Sequence, residues 1–383
     1  MIPLIVHVGF DVRRLGMGVS SEALLWMEIL SASGISPRTR YKLVERLGLA
    51  EFAALVKSKS GRERVLRFTG KAVSPPDIDF LKRQLEMLER GDFRVACVSD
   101  EEYPSLLKEI TVPPPIFYYR GDLRVLHRPT ICIVGSRAAT RRGLLTAERL
   151  ARELASRGVH VISGLARGID SAAHVGALEA ESGAGTTAVM GTGIDIVYPY
   201  ENGELAERIA EKGCIITEFA PGTPPHRHNF PQRNRILSGL AAGVVVVEAD
   251  VRSGAMGTAM WALEQNRDVF AVPGPIDSPM SHGPHRLIKQ GAHLVEQADD
   301  IIGEISTMRP GRSEAGGLFD VSEVAGLEET ERRVLEAVKV EPKHVDELTE
   351  ICNISPDEIL PVLLNLQMRG LVVSTGSNRF ARA

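Results

Sequence analysis

The middle of the chain alternates apolar runs with helical segments, and this alternation constrains the fold more than any other feature. Six runs have the length and composition of strands, and a helical stretch adjoins each of them; they lie at 129–135, 159–164, 185–191, 214–219, 243–249 and 268–274. Strands that alternate with helices form a parallel sheet with helices on both faces. The consecutive valines at 244–247 are typical of a central strand buried on both sides. The sequence therefore predicts an α/β fold with a doubly wound, mostly parallel sheet.

Shorter regions flank this predicted sheet. The segment 21–48 is typical of two helices joined by SGISPRT, and the stretch 308–326 has the Gly, Ser and charge content of a linker. The last segment predicts three helices and two short strands, the pattern of a winged helix. The predicted domains are an N-terminal tail (1–20), a small helical domain (21–95), the α/β domain (96–306), a linker (307–326) and a winged helix (327–383).

Charge and cysteine content exclude some classes of protein. A formal net charge of −4 excludes a chain that is basic over its whole surface, although a local basic site remains compatible with it. The four cysteines are far apart and form no CxxC pair, which indicates buried, reduced thiols in a reducing cytosol. The apolar start MIPLIVHVGF is too short to span a membrane, and no small-residue cleavage site follows it. We therefore expect a cytoplasmic protein that contacts no membrane.

Glycine-rich turns follow four of the predicted strands. They are GSRAAT after the first, SGLARGID after the second, GTGID after the third and EADVRSGAMGTA after the valine run. Ligands of open parallel sheets bind beyond the carboxyl ends of the strands, and the first two of these turns add a cation each, Arg137 and Arg167. Free amides at the start of the helix after GSRAAT would also attract an anion. The turns together indicate a phosphate site, although tight backbone packing explains any single one of them equally well.

The chain lacks the sequence signatures of several enzyme classes. The glycine spacing matches neither GxGxxG nor GxxxxGK[ST], which disfavours a dinucleotide-dependent oxidoreductase and a nucleoside-triphosphate hydrolase, and we expect no cofactor. Histidines recur at 226–228 and 282–285 without the cysteine or carboxylate partners of common zinc sites, so we expect no metal. His174 lies four residues after Asp170 on a predicted helix, where an ion pair or a core contact is more typical than a catalytic base.

The stretch HRHNFPQRNR gathers cations around one aromatic residue, Phe230, ahead of the valine run. Because Pro231 follows it, Phe230 is expected to be extended. An aromatic ring in a cationic loop can stack on an unpaired base, which is worth about 1–3 kcal/mol per base. Arg227, Arg233 and Arg235 would then neutralise phosphates. The alternative is that Phe230 caps the core and that the arginines form surface ion pairs.

Eight blocks of the sequence carry a further signal. They are DEEYPSLLKEITVPPPIFYYRGD, IVGSRAAT, VISGLARGIDSAAH, MGTGIDIVYPYEN, NFPQRNRILSGLA, VVVVEA, SGAMGTA and DVFAVPGPI. In order and spacing they resemble the DNA-processing protein A (DprA) family, closely over 100–300 and more loosely in the flanking domains. The resemblance implies an extended Rossmann fold, an N-terminal domain similar to a sterile alpha motif, and a C-terminal winged helix.

The same resemblance implies a function. Members of the family are bacterial cytosolic proteins that bind single-stranded DNA, work as dimers and are not known for catalytic turnover. They receive strands during natural transformation, protect them from nucleases and help load the RecA recombinase past single-strand binding protein. The expected partners are therefore single-stranded DNA, RecA, single-strand binding protein and a second copy of this chain.

An alternative function is that of an enzyme that acts on a nucleotide. The stretch SGAMGTAMWALEQ loosely resembles the GGxGTxxE loop of lysine-decarboxylase-like nucleotide phosphoribohydrolases, but it lacks the second glycine and the glutamate of that loop.

The resemblance also assigns residues. The GSR turn of the family falls on Gly135, Ser136 and Arg137, and its base-stacking aromatic falls on Phe230. The basic residue three positions earlier is commonly lysine and is Arg227 here, which keeps the charge but changes its geometry. The usual SGSLxTA stretch is SGAMGTA here, which lacks the second serine hydroxyl. Residue patterns and resemblance together give ten candidates for binding single-stranded DNA: Gly135, Ser136, Arg137, Arg167, Arg227, Asn229, Phe230, Arg233, Asn234 and Arg235.

The two flanking domains have opposite charge patterns. The SGISPRT turn resembles a helix-hairpin-helix turn, and a contact with DNA and a solvated basic face on a packing domain are equally compatible with it. Its cations are Arg38, Arg40, Lys42 and Arg46. The second and third predicted helices of the winged helix carry Asp346, Glu347, Glu350, Asp357 and Glu358. Because these carboxylates would repel phosphates, we expect the winged helix to contact protein rather than duplex DNA.

Overall fold

The computed structural model describes most of the chain. The described residues are 19–32, 34–181, 183–305, 329–339, 343–352, 354–368, 372–376 and 379–382. The predicted linker at 307–326, and all of the predicted tail except Val19 and Ser20, lie outside them. Contacts between Cα atoms divide the chain into two compact units, 1–308 and 309–383.

The first unit begins with five helices. They are α1 (Ser21–Ser31), α2 (Pro37–Leu47), α3 (Leu49–Lys57), α4 (Lys59–Thr69) and α5 (Ile78–Glu89). The side chains of Ser20, Ser36, Ser58 and Asp77 each accept a hydrogen bond from a first-turn backbone N–H, which fixes four of the five helix starts. The apolar faces of these helices pack with strands of the sheet in one hydrophobic cluster. The helical region and the sheet therefore share a core.

The sheet of the first unit has nine strands. They are β1 (Arg94–Cys97), β2 (Ile116–Gly121), β3 (Thr130–Val134), β4 (His160–Ser163), β5 (Thr186–Val189), β6 (Cys214–Thr217), β7 (Gly243–Val246), β8 (Asp268–Ala271) and β9 (His293–Leu294). Their spatial order is β1-β2-β6-β5-β4-β3-β7-β8-β9; the pairs β1–β2 and β2–β6 are antiparallel, and the others are parallel. The six strands β5-β4-β3-β7-β8-β9 have the order of a Rossmann fold, which the other three extend. The predicted extended Rossmann-like sheet is confirmed.

Helices cover both faces of this sheet. They are α6 (Ser105–Lys108), α7 (Arg141–Ser156), α8 (Ile169–Glu179), α9 (Gly203–Lys212), α10 (Asn229–Gly239), α11 (Gly254–Glu264), α12 (His282–Lys289) and α13 (Ala298–Glu304). On β3, Ile131 and Ile133 pack with α7 and α8, whereas Cys132 and Val134 pack with α10 and α11. Successive side chains of a strand point to opposite faces, so a strand covered on both sides is apolar at nearly every position. The same reason accounts for the unbroken valine run 244–247, most of which lies in β7.

The direction in which strands are added to the sheet reverses between β3 and β7. β4 and β5 lie on one side of β3, and β7 pairs with its other side. The loops that leave the carboxyl ends of β3 and β7 therefore diverge and open a crevice. Doubly wound sheets bind their ligands at this kind of crevice.

The second unit is a winged helix. Its elements are α14 (Glu329–Ala337), β10 (Lys343–His344), α15 (Val345–Cys352), α16 (Pro356–Met368), β11 (Val372–Gly376) and β12 (Arg379–Arg382), and its sheet has the order β10-β12-β11. Val334, Leu348 and Leu363 are fully buried in its hydrophobic core. The predicted three helices and hairpin are confirmed. The structure adds the short strand β10, which pairs antiparallel with β12 and which the sequence did not indicate.

The cysteines contribute to the core. All four are buried and free, and burial raises the pKa of the Cys132 and Cys214 thiols. They therefore pack as small apolar side chains. Among the described residues, no helix is long and apolar enough to cross a membrane.

Candidate functional site

A cavity of about 800 Å³ opens at the crevice beside the loops that follow β3 and β7. Its walls come from these loops, from the loop after β4 and the start of α8, and from the segment that includes the first half of α10. Seven of the ten predicted site residues line it: Gly135, Ser136, Arg137, Arg227, Phe230, Arg233 and Asn234. Arg167, Asn229 and Arg235 lie outside its lining.

The glycine turns after β3 and β4 pack on one another. The backbone N–H of Ser136 donates to Glu248 O at 2.6 Å, and the N–H of Ile169 donates to Ser136 O at 3.2 Å. A Cβ on Gly135 would clash with Ile169, and Gly168 adopts a φ of +78° directly against Ser136 O. Tight packing therefore requires both glycines, and this packing holds the loop after β3 at the cavity.

The start of α7 differs from what the sequence suggested. The Glu248 carboxylate accepts hydrogen bonds from the Thr140 N–H at 2.8 Å and from the Thr140 hydroxyl at 2.6 Å. Thr140 Oγ1 in turn accepts a hydrogen bond from the Gly143 N–H at 3.1 Å. A carboxylate is a favourable partner for the positive end of a helix dipole. The expectation that these amides attract an external anion is therefore wrong, because a protein carboxylate already occupies that position.

Phe230 and Arg137 form a pair at the cavity. The Arg137 Cζ atom lies 5.2 Å from the centre of the Phe230 ring, within cation–π range. A Cβ on Gly191 would lie 2.8 Å from Phe230 Cδ1, so the missing side chain at that glycine makes room for the ring. Phe230 is half-buried and Arg137 is exposed. The pair thus presents an aromatic ring and a cation at the same wall of the cavity.

The prediction that Phe230 is extended is wrong. Phe230 lies in the first turn of α10, which begins at Asn229. Pro231 is tolerated in this turn because the first N–H groups of a helix have no intrahelical acceptor, so the N–H that proline lacks is not missed. A helix rather than a loop therefore positions the ring.

The residues Arg137, Arg227 and Phe230 form what we term the cavity rim. Both arginines are exposed, and neither forms an ion pair within the part of the chain that the structure describes. An unpaired guanidinium keeps its planar set of donors for an anion such as phosphate. The cavity rim therefore combines two available cations with one aromatic ring.

The buried residues Asp170 and Arg233 form what we term the cavity floor. Both side chains reach within 2.7 Å of the place where a Cβ on Gly164 would lie. Arg233 Nη1 donates to Gly164 O at 2.9 Å and also to Val189 O, so it connects the chain after β4 with the end of β5. Burial raises the pKa of Asp170 and lowers the pKa of Arg233 to about 10, and each charge partly offsets the effect on the other. These contacts make Arg233 a support of the cavity, which differs from the phosphate contact predicted for it.

Arg235 and Asn229 also serve the interior. Arg235 Nη2 lies 2.5 Å from Glu218 Oε2, and both side chains are only 9% exposed. Burial raises the pKa of Glu218, and Arg235 opposes that shift. Asn229 Nδ2 donates to Gly191 O at 3.0 Å and anchors the first turn of α10. The predicted phosphate contact of Arg235 would require breaking a buried ion pair, which is costly.

Arg167 and Asn234 lie beside the cavity rim. Arg167 lines a smaller adjoining pocket, and its exposed guanidinium pairs with Glu201, with Nη2 at 3.1 Å from Oε2. A phosphate at Arg167 would therefore compete with that carboxylate. Asn234 Nδ2 donates to Gly254 O at 3.3 Å and connects α10 with the start of α11.

Tyr198 is the aromatic residue at this site that sequence reasoning missed. Its ring centre lies 5.7 Å from that of Phe230 and 6.4 Å from that of Tyr200, which is 78% exposed. The three rings form a row that starts at the cavity rim. Both tyrosines belong to the block MGTGIDIVYPYEN, which follows β5, so two aromatics after a strand end were the available signal.

His174 has the bland role that its helical position suggested. It is fully buried, and its Nδ1 lies 2.8 Å from Thr186 Oγ1. Burial lowers the pKa of His174 to about 3. A histidine that stays neutral in the core and faces a threonine has no access to a ligand, so it is a core contact.

The chain combines a Rossmann-like sheet, a winged helix, and a crevice between the loops after β3 and β7 that is lined by cations and an aromatic ring. These features are those of a nucleic-acid-binding protein. A family model described as DNA recombination-mediator protein A matches residues 94–306. A second model, the DprA winged helix domain, matches residues 322–377. The chain belongs to the DprA family of DNA recombination-mediator proteins.

Relatives with curated names agree. Protein Smf of Escherichia coli (strain K12) is 37% identical over 285 residues, which cover 73% of this chain and 74% of that protein. The DNA processing protein DprA of Streptococcus pneumoniae is 42% identical over 207 residues, which cover 54% of this chain and 72% of that protein.

Solved structures give the same result. The X-ray structure of DprA from Streptococcus pneumoniae matches with a TM-score of 0.62 and 32% identity, over 76% of this chain and 99% of that one. DprA from Helicobacter pylori, whose structure was described for its single-stranded DNA binding mode, matches with a TM-score of 0.50 and 28% identity, over 55% of this chain and 95% of that one.

Proposed function

We propose that this chain binds single-stranded DNA at the cavity rim without sequence preference. The observation that carries the proposal is the Arg137–Phe230 pair, 5.2 Å apart, beside unpaired Arg227 on a cavity of about 800 Å³. Every base has a face that can stack on Phe230, and every nucleotide brings a phosphate for the arginines. Neither contact depends on which base is present.

Family membership supports the later steps of the proposed function. We infer that the bound strand is protected from nucleases and that the chain helps RecA to load on it past single-strand binding protein. The chain would act in the cytoplasm as a homodimer. The DNA-binding step rests on the geometry of the cavity rim and on the single-stranded DNA binding described for the Helicobacter pylori relative, whereas the RecA step rests on the family resemblance.

The cavity favours binding over catalysis. Among its described lining residues Asp170 is the one carboxylate, and it is buried beside Arg233. A hydrolytic role needs an acid or base that can reach the substrate. The segment that loosely resembled the phosphoribohydrolase loop contributes Ser253, Gly254, Ala255 and Thr258 to the cavity, and none of these can act as a general acid at neutral pH. No observation here favours the alternative enzyme.

The test is fluorescence-anisotropy titration of labelled poly-dT and of a matched duplex at two salt concentrations. We expect Arg137→Ala and Phe230→Ala each to weaken poly-dT binding about tenfold or more, because a lost stacked base costs about 1–3 kcal/mol. Arg124→Ala is the matched control, since Arg124 is 83% exposed and its ion pair among the described residues is with nearby Asp122. If both cavity-rim variants bind poly-dT as the unmodified chain does, the site assignment is wrong.

We propose that the winged helix contacts protein rather than duplex DNA. Asp346 and Glu347 lie in the first turn of α15, and both are exposed. In helix-turn-helix domains the helix before the recognition helix crosses the DNA backbone, so negative charge at the start of α15 would repel the phosphates there. A chain shortened to the first unit should bind duplex and single strands as the full chain does; a loss of submicromolar, salt-sensitive duplex binding on shortening would contradict this role.

A further inference from the structure

The small helical domain contains a segment whose net charge is strongly positive, although the net charge of the whole chain is negative. Between Ser36 and Lys71 there are ten lysines and arginines against three glutamates, a net +7 in a chain of net −4. Charge distribution rather than total charge decides where an anion is attracted. The segment 36–71 is therefore a candidate surface for a polyanion.

Several of these cations already have structural roles. Arg40 donates to Ala32 O at 2.7 Å, Lys57 pairs with the buried Glu28 at 2.9 Å, and Arg62 donates to the last two backbone carbonyl groups of α3. These three side chains stabilise the helical domain and do not belong to the candidate surface.

The remaining cations other than Lys59 lie on, or directly after, two helix faces. On α2, Arg38, Lys42 and Arg46 recur every fourth residue, which places them on one face of the helix, and all three are exposed. On α4, Arg64, Arg67 and Phe68 share a face by the same spacing and are exposed, and Lys71 follows directly after the helix. We term these seven residues the basic face.

One contact joins the two halves of the basic face. The Arg46 Cζ atom on α2 lies 5.0 Å from the centre of the Phe68 ring on α4. Phe68 is 53% exposed, so much of its ring remains accessible beside the guanidinium. An exposed aromatic ring beside a guanidinium offers a surface on which an unpaired base can stack.

Nearby carboxylates leave the basic face largely unneutralised. Glu45, Glu51 and Glu63 are the acidic residues of the segment. Glu51 lies 3.8 Å from Arg64, and both side chains are more than half exposed. An exposed pair at that distance contributes little and is readily exchanged for a phosphate.

We propose that the basic face is a second contact surface for single-stranded DNA, with Phe68 and Arg46 stacking on an unpaired base and the flanking cations holding phosphates. The Arg46–Phe68 pair repeats the chemistry of the Arg137–Phe230 pair at nearly the same distance, 5.0 Å against 5.2 Å. A duplex offers phosphates to the cations but keeps its bases stacked, so it leaves Phe68 without a partner. This surface lies outside the cavity and does not depend on the site proposed above.

The chain contains a matched control for this surface. On α5, the Arg83 Cζ atom lies 6.0 Å from the Phe80 ring. The surrounding turns of that helix carry Asp77, Asp79, Glu86 and Glu89 rather than a row of cations. The double variants Arg46→Ala with Phe68→Ala and Arg83→Ala with Phe80→Ala therefore remove the same residue types and the same charge from opposite surroundings.

The experiment measures the binding of the full chain to labelled oligo-dT of about 10 and about 60 nucleotides, since a single binding site for single strands covers about 4–16 nucleotides and only the longer strand can reach two sites. We expect the Arg46/Phe68 variant to bind the longer strand about tenfold more weakly than the unmodified chain, and the Arg83/Phe80 variant to bind it normally. The salt slope of log K should fall by about 0.7 for each lost phosphate contact. The same loss of affinity should appear when Arg137→Ala and Phe230→Ala are already present. This result would distinguish DNA contacts at the basic face from those at the cavity rim. Thermal melting shows whether each variant is folded.

Three results would overturn the proposal. One is equal binding of the longer strand by the Arg46/Phe68 and Arg83/Phe80 variants. Another is an equal loss of duplex and single-strand binding in the Arg46/Phe68 variant, which would show that the basic face attracts DNA by charge alone, without stacking on a base. The third is unchanged DNA binding together with a lost affinity for poly-glutamate, which would make the basic face a surface for acidic protein.

Discussion

The cavity rim and the cavity floor use the same residue type for different purposes. Arg227 and Arg233 are six positions apart, yet Arg227 is exposed and has no ion pair with any described residue, whereas Arg233 is buried and donates to two backbone carbonyl groups. An exposed guanidinium can release its water and counterions to a ligand, whereas a buried one is already committed to the fold. The comparison shows that a cluster of arginines in sequence is not a cluster of ligand contacts in space.

The largest effect is expected from Arg233→Met. Removing the guanidinium leaves Asp170 buried without its neighbouring charge and two carbonyl groups without their donor, which we expect to cost about 3–5 kcal/mol of unfolding free energy. Urea denaturation measures this change. The control is Arg227→Met, an exposed change that should stay within about 0.5 kcal/mol. Equal stability of the two variants would remove the distinction between the cavity rim and the cavity floor.

Acid should destabilise the interior. Burial lowers the pKa of His160 to about 4 and of His174 to about 3, both below the 6.5 of a free histidine. Between pH 6.5 and about 4 the unfolded chain binds these protons and the folded chain does not, so stability falls as pH falls, by about 2–3 kcal/mol per histidine.

Denaturation at a series of pH values measures this slope, and His174→Asn isolates the contribution of one histidine because the asparagine amide can still donate to Thr186. We expect a shallower loss of stability toward pH 4 in the variant. Identical slopes in the variant and the unmodified chain would show that His174 is protonated or solvated in the folded state.

A smaller effect is expected from Gly191→Ala, which changes the position of the Phe230 ring at the cavity rim. The added Cβ would lie 2.8 Å from Phe230 Cδ1 and displace the ring. Single-stranded DNA affinity should fall about tenfold through lost stacking. Gly203→Ala is the control, because a Cβ at Gly203 would have no described neighbour within 4 Å outside its own helix. Unchanged DNA affinity in Gly191→Ala would mean that the position of the Phe230 ring does not matter for binding.

The smallest effect is expected from Arg227→Ala. One phosphate contact fewer should reduce the slope of log K against log salt by about 0.7 for a single strand, with little change in preference among bases. Anisotropy titrations at several salt concentrations measure the slope. A slope equal to that of the unmodified chain would place Arg227 outside the path of the strand.

The sequence predicted the fold better than the site. Strand–helix alternation and the valine run gave the doubly wound sheet because apolar patterning follows directly from burial on both faces. The sequence did not show which carboxylates pair with groups near the site. Glu248 neutralises the start of α7, and Glu218 pairs with Arg235 from 17 positions away, so neither contact is visible until the chain folds.

Two other features depended on three-dimensional context. Pro231 indicated an extended Phe230 by a local rule, but the first turn of a helix tolerates proline, and tertiary packing placed α10 there. Tyr198 is separated from Phe230 by more than thirty residues, and only the adjacency of the loops after β5 and β6 brings the two rings together. Long-range pairs of this kind lie beyond periodicity and spacing.

The most direct measurement of the central claim is photocrosslinking of the full chain to an oligonucleotide that carries 5-iododeoxyuridine, followed by mass-spectrometric mapping of the attached peptide. We expect a principal crosslink at Phe230 that disappears in Phe230→Ala and persists in Phe80→Ala. A crosslink pattern that maps to the winged helix and never to the segment around Phe230 would contradict it.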